Sequence, residues 1–453
     1  MGAGVSIKND YLAENRAIYL PAISETFARS VHRSTLDPSL PLTARHLNFL
    51  DPGNPSFFYP FALYSAGQAA SKSGNVPPCM VTSRDRDETI VVGDSGGYQI
   101  QTQKIEFDPA STPRTMLKWL EQVADWSMVL DFPTGGISSG AMRPHAERLE
   151  KEGYDLAAMA KANGLGIDFN ACLTQTKLNN DIFLAQRTPG KTRLLNVLQG
   201  RNKRESKYWY DAVKHLPFEG WALAGAHRDH FSLIVHRLLD MHADGLLRDC
   251  KWIHVLGVGS LQIGCLLTVV QRAVRQAIGN AVQFSFDSAT PFLSSANGLV
   301  CSGCRLGAQG WSVQYKKFSQ LGGSNNALLF DILRELLETR SRASCEIYSA
   351  DTLVSRSINL SDMQRADGMP STDGGILLTH HNVQALLDAH SSAQALFFRS
   401  DPLRPDPTAV PLSIKTAAEM VRLLFEELGR GVSPTALHAR VDEWQPWLDE
   451  IGA

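Results

Sequence analysis

Six positions in this chain end short apolar runs, and three of the six are carboxylates. Asp94 follows Val91-Val92-Gly93, Asp131 follows Met128-Val129-Leu130, and Asp287 follows Phe284-Ser285-Phe286. Gln199 follows Leu195-Asn196-Val197-Leu198, Gly225 follows Trp221-Ala222-Leu223-Ala224, and Gly257 follows Ile253-His254-Val255-Leu256. Carboxylates suit proton transfer and the covalent trapping of a cationic carbon. Singly, each has a plainer explanation: Asp287 as a helix N-cap before Thr290-Pro291, Asp94 as a turn residue in Asp-Ser-Gly-Gly, Asp131 as a loop cap ahead of Pro133. Together they ask for a scaffold that brings chain-distant strand ends to one place. A barrel of alternating strands and helices does this, because the C-terminal ends of its strands share one mouth.

The residues between these runs supply such elements. Pro113, behind Ser111 and Thr112, marks a helix start, and Met116, Leu117, Leu120, Val123 and Ala124 keep helical spacing. Strand 127–130 follows, and a helix through Leu149, Leu156, Met159 and Ala160 leads to strand 194–198. After strand 221–224, Phe231, Ile234, Val235, Leu238 and Leu239 form an apolar stripe before strand 252–256. Ser260 caps a helix from Leu261 to Ile278, and strand 282–286 closes the series. This alternation predicts an α/β fold, a (β/α)8 TIM barrel with parallel pairing. We expect residues 1–75 to supply the first strand, near 17–23, and a lid near Phe57-Phe58-Tyr59-Pro60. Residues 76–300 would form the catalytic core and 301–400 a subdomain with the barrel's end. Over 401–453, Pro402, Pro405, Pro407 and Pro411 predict a linker, followed by a helical tail with Ala417, Met420, Val421, Leu424 and Leu428 on one face.

Composition is compatible with this without pointing to it. The 453 residues can hold a barrel of about 250 plus appendages. A hydrophobic share of 43% and a charged share of 20% are those of an ordinary globular protein. No apolar run reaches the ~20 residues of a membrane span, so no membrane is expected. The seven scattered cysteines suggest a reducing, cytoplasmic setting. Net charge is −2, from 44 basic and 46 acidic residues, so any nucleic-acid contact needs a local patch. The best candidate begins right after Gln199-Gly200, with Arg201, Lys203, Arg204 and Lys207 beside Tyr208, Trp209 and Tyr210. These residues either grip phosphates and stack on bases, or form a solvated helix turn whose aromatics pack on the barrel.

The ordered motifs resemble those of the tRNA-guanine transglycosylases. The shared strings are Asp-Ser-Gly-Gly-Tyr-Gln at 94–99, Val-Leu-Gln-Gly at 197–200, Leu-Gly-Val-Gly at 256–259 and Phe-Asp-Ser-Ala-Thr-Pro at 286–291. The resemblance covers roughly residues 85 to 390 and is distant. The chain has Ala224-Gly225-Ala226 where those enzymes usually have Gly-Gly-Leu, and it is longer at both ends. These departures resemble the 7-deazaguanine DNA transglycosylases, which implies DNA as acceptor, with tRNA as the alternative, and 7-cyano-7-deazaguanine as incoming base. Protein partners from the same DNA-modification system would fit that setting. A non-catalytic partner subunit would have lost its carboxylates, and both are kept here. A phosphate-binding barrel of unrelated function would use Gly257-Val258-Gly259, but leaves the 94–99 string unexplained.

The resemblance also implies roles. Asp287 is the nucleophile and Asp94 the acid/base at the leaving base. Asp131 accepts from the ring N–H and exocyclic amine, while Gln199 and the Gly225 backbone N–H meet the carbonyl oxygen. Tyr98 and Leu256 sandwich the ring, Ser95 lies at the edge of the slot, and Ala226 lies beside the 7-substituent. The glycines at 96, 97, 225 and 257 would leave room for the base. The family's Cys-x-Cys-x-x-Cys zinc string is absent. Cys345, followed after two residues by Tyr348-Ser349, and His381-Asn382 reproduce its remaining parts, and Cys301 and Cys304 alone have ligand spacing for the rest. Three thiolates and one imidazole imply a closed, structural Zn2+ site, so that 301–400 would be a zinc-binding subdomain. Otherwise Cys301 and Cys304 are an incidental pair and Cys345 a small hydrophobe.

Overall fold

Short runs of Val, Leu, Ile, Phe and Trp become parallel strands here because both faces are covered, by barrel interior and by helices. Eight strands close into a barrel in chain order: β1 Ile18–Ile23, β2 Phe61–Ser65, β3 Ile90–Asp94, β4 Trp126–Met128, β5 Arg193–Leu198, β6 Gly220–Leu223, β7 Trp252–Val255 and β8 Gln283–Ser288. Closure is made by β1 on β8, with Leu20 opposite Asp287. The chain is therefore a (β/α)8 barrel. The structure, a computed structural model, describes residues 6–33, 36–69, 73–322, 326–338, 345–399 and 409–451. Pro402, Pro405 and Pro407 of the expected linker lie outside the described residues.

The crossover helices used below are α1 Thr112–Val123, α2 Ile167–Gln186, α3 Lys203–Val213, α4 Phe231–Ala243 and α5 Leu261–Ile278. α5 begins at the expected cap, where Ser260 Oγ accepts from the Ile263 N–H at 3.4 Å. After β8, a three-stranded antiparallel sheet in the order β10 Gly310–Lys317, β9 Leu299–Gly307, β11 Cys345–Ser349 precedes the long helix α6 Thr372–Phe397. α6 packs back on α5 and β1 and so fills the eighth helix position. The tail is helical as expected: α7 Leu412–Gly429 lies on α5, and α8 Pro434–Asp449 lies on α4. Among the described residues no helix is long and apolar enough to cross a membrane.

Three differences from the sequence reading have physical causes. Two barrel strands, not one, lie before residue 76, since β2 starts directly behind Pro60 in the stretch read as lid. The single helix expected through Leu149 and Ala160 is two, Arg143–Lys151 and Leu156–Asn163. Between them Gly153 takes φ 97°, which only glycine adopts freely, and Asp155 caps the second by accepting from the Ala158 N–H at 2.8 Å. Finally, α2 was not anticipated. Its Asn170, Thr174, Gln175, Thr176, Asn179 and Asn180 are buried, so it shows no apolar stripe against a polar face.

Candidate active site

All six chemistry-bearing positions sit at the C-terminal ends of their strands. Asp94 ends β3 and Asp287 is the penultimate residue of β8. Gln199 directly follows β5, Gly225 and Gly257 come two residues after β6 and β7, and Asp131 three after β4. The barrel therefore brings them to one mouth. The Asp287 charge adds to the rise of the Asp94 carboxyl, and the Asp94 charge to that of Asp131, so the three share one electrostatic environment.

Asp94 stands beside Ser65 in the β2–β3 register, and the Ser65 hydroxyl donates to its Oδ2 at 2.6 Å. Burial pushes its carboxyl above the usual carboxylate range, against the lowering by the Ser65 and Gly96 donors. A carboxyl whose acid form is favoured in this way is better suited to give a proton to a leaving group than an ordinary exposed one. The next residue, Ser95, is fully buried and donates to the Val129 carbonyl at 3.1 Å, which ties β3's exit to β4 instead of facing an open slot.

Asp131 owes its place to α2. The Thr176 hydroxyl accepts from the Phe132 N–H at 2.9 Å, and the Asn179 amide donates to the Leu130 carbonyl at 3.0 Å, so the loop is held on both sides of the carboxylate. Gln199 Nε2 donates to Asp131 Oδ2 at 2.7 Å, leaving Gln199 Oε1 buried without a partner among the described residues. Burial, with a smaller contribution from the Asp94 charge, raises the Asp131 carboxyl to about 7, and the Gln199 donor opposes this. As placed, the Gln199 amide is therefore spent on Asp131 instead of meeting a base carbonyl as expected, and its buried Oε1 is an acceptor that calls for an N–H donor.

Asp287 is anchored through one oxygen. The Gly257 N–H donates to Oδ1 at 2.8 Å and His254 Nε2 lies 3.1 Å from the same atom. Oδ2 has no hydrogen-bond partner among the described residues. Sequence reasoning missed His254, which looked like an ordinary strand residue; its only signal was a polar side chain three places before a site-forming glycine.

The glycines correct their own explanation. A Cβ at Gly96 would come 2.6 Å from the Gly67 Cα, at Gly97 2.7 Å from the Asp131 carbonyl oxygen, and at Gly225 2.8 Å from Gln199 Oε1. They make room for neighbouring protein, not for a ligand. At Gly257 a Cβ would meet nothing nearer than Arg228 Cδ at 3.9 Å, so that position borders open space. Tyr98 is 61% exposed, Leu256 and Ala226 are half-buried, and the Ala226 N–H donates to the Gly200 carbonyl at 2.9 Å.

The basic stretch runs from Arg201, just before the Asn202 cap, through the first turn and a half of α3, and its cations are already engaged. Arg201 pairs with Glu205 at 2.5 Å, Lys203 with Asp442 of α8, and Lys207 with Asp211, while Arg204 donates to the Asn163 carbonyl at 2.7 Å. Trp209 and Tyr210 cannot stack on bases. Both are fully buried, with Trp209 Nε1 donating to the Val197 carbonyl at 2.9 Å and the Tyr210 hydroxyl to Asp244 at 2.8 Å.

Cys301 and Cys304 lie buried on β9, Cys345 begins β11, and His381 is buried in α6. As placed they do not fit a ligand set. The His381 Nε2–H donates to the Cys301 carbonyl at 2.7 Å, and Nδ1 lies 2.7 Å from the Thr352 hydroxyl, so neither nitrogen is free. Asn382 completes a staple, accepting from the Cys301 N–H at 2.8 Å and donating to the Leu299 carbonyl at 2.8 Å. Among the described residues no three His, Cys, Asp or Glu side chains gather where they could hold a metal ion. Neither a scan against protein-family models nor a search of curated proteins gives a match.

Proposed function

We propose that this barrel is a base-exchange glycosyltransferase that replaces guanine in DNA with a 7-deazaguanine, in the first place 7-cyano-7-deazaguanine. The observation that carries the reading is the division of labour among three carboxylates at one mouth. Asp287 has one oxygen without a hydrogen-bond partner among the described residues, Asp94 is held towards its acid form, and Asp131, joined to Gln199, is a buried acceptor for N–H donors. In the reaction, Asp287 Oδ2 bonds to C1′ as the C1′–N bond of guanine breaks through an oxocarbenium-like state, and Asp94 gives its proton to the departing base. The incoming base loses a proton to Asp94, attacks C1′ and releases the carboxylate. A duplex must first extrude its guanine, at a cost of a few kcal/mol.

DNA is preferred to tRNA on the sequence resemblance, in which Ala224-Gly225-Ala226 stands where the tRNA enzymes usually have Gly-Gly-Leu. The chain's helix α8 borders the mouth, through Asp442 on Lys203 and through Asp449 on Ser232 at 2.9 Å. The phosphate-barrel alternative loses support, since the Gly257 N–H of Gly257-Val258-Gly259 is spent on Asp287. The test is incubation with guanine-labelled DNA and, separately, labelled tRNA, adding 7-cyano-7-deazaguanine. The expected result is label released from DNA. Release from tRNA alone overturns the acceptor, and release from neither overturns the reaction.

A structural zinc on Cys301, Cys304, Cys345 and His381 is a separate proposal, resting on residue types alone. It requires His381 to leave Thr352 and the Cys301 carbonyl. It expects about one zinc per purified chain, with metal content and thermal stability falling together in Cys345→Ser. Folded protein free of zinc removes it.

A further inference from the structure

Beside the three carboxylates runs a buried hydrogen-bond chain that the proposed reaction does not yet use. Trp252 and His254 lie two apart on β7, and Ser285 and Asp287 two apart on β8, with His254 opposite Ser285 in the register. A spacing of two puts each pair on one face of its strand. Trp252, His254 and Ser285 are almost completely buried. Trp252 Nε1 lies 2.7 Å from Ser285 Oγ, Ser285 Oγ 2.9 Å from His254 Nδ1, and His254 Nε2 3.1 Å from Asp287 Oδ1.

Donor and acceptor capacity fixes the direction of this chain. An indole N–H can only donate, so Ser285 Oγ accepts from Trp252. An ionised carboxylate oxygen only accepts, so His254 Nε2 carries a proton aimed at Asp287, and in the neutral imidazole Nδ1 then accepts the Ser285 hydroxyl hydrogen. The Gly257 N–H joins it on the same oxygen at 2.8 Å. With two donors on Oδ1 and, among the described residues, none on Oδ2, the carboxylate is held at a fixed angle and the lone pairs of Oδ2 are the ones left unengaged.

We propose that His254 is a positioning residue: held as the Nε2–H tautomer by Ser285 and Trp252, it selects Oδ2 of Asp287 as the attacking atom. The role rests on the base-exchange reading. It contrasts with that of a buried histidine that merely fills the core, whose loss would lower stability without a specific effect on the covalent step.

The experiment compares the wild-type protein with His254→Leu, which removes the donor, and His254→Gln, whose amide nitrogen reaches the place of Nε2. The readout is the single-turnover rate of protein–oligonucleotide adduct formation, together with the KM for the incoming base. His254→Leu is expected to slow adduct formation about 10- to 100-fold with an unchanged KM, and His254→Gln to recover most of the loss. In parallel, imidazole nitrogen resonances of histidine-labelled wild-type protein should show His254 protonated at Nε2, and Ser285→Ala should mix the tautomers. Equal rates in all three proteins, equal losses in both variants, or a proton on Nδ1 would each overturn the proposal. Absence of any adduct with DNA or tRNA in the wild type removes the base-exchange reading and the role with it, whereas an Nε2–H signal would still stand as a property of the fold.

Discussion

Asp287→Asn is expected to abolish base exchange, lowering single-turnover label release by about 10⁴-fold or more, and to leave no covalent adduct. The fold should survive. The amide oxygen can still accept from the Gly257 N–H and from His254, which now hold Oδ1, and the side chain keeps its shape. What changes is the other atom: a carboxylate oxygen without a partner among the described residues becomes an NH2 group, which cannot trap C1′. Thermal unfolding and label release measured on the same preparation separate the two effects. A folded variant that exchanges base at close to the wild-type rate would remove Asp287 as nucleophile.

Asp131→Asn is expected to weaken guanine binding by about 10²- to 10³-fold, because two N–H donors of the base lose a charged, buried acceptor. The same carboxyl predicts two pH dependences of opposite use. Its group in the folded chain sits at about 7, above the ordinary carboxylate value, so the folded state holds the proton more tightly than the unfolded one. Stability from this group is thus full below the unfolded value near 4 and is lost as pH rises through about 7. The Asn variant lacks that slope, and relative to wild type it should gain stability at pH 8 over pH 5. Guanine binding runs the other way. Paired N–H donors favour the ionised acceptor, so wild-type affinity should fall by up to about tenfold per unit as pH drops below 7, with a proton released on binding. Calorimetry in buffers of different ionisation heat reads that proton. An affinity flat from pH 5 to 8, with no proton released, would contradict the assignment.

The positions that carry the chemistry were legible because a parallel barrel writes them in a simple way: an apolar run, then a polar residue or glycine. The Ser260 cap and the stripe of α4 were equally plain, since a cap side chain and a 3.6-residue period are local features. What stayed hidden depends on contacts across the chain. β2 follows Pro60 in a stretch rich in aromatics, and only its pairing with β1 and β3 makes it a strand. α2 buries polar side chains, two of which, Thr176 and Asn179, bond the backbone on either side of Asp131, so no apolar period announces it. Trp209 and Tyr210 look like a stacking platform beside cations until Val197 and Asp244 turn out to take their donors. His381-Asn382 likewise reads as a ligand motif, yet in space it fastens α6 to β9.

Mass analysis of the wild-type protein after incubation with a guanine-containing DNA oligonucleotide, without incoming base and quenched under denaturing conditions, tests the account most directly. The prediction is a protein mass increased by the oligonucleotide less one guanine, with the linkage mapped by peptide analysis to Asp287 and absent from Asp287→Asn. An adduct mapped to another residue, or no adduct with either DNA or tRNA from protein that is folded, would contradict it.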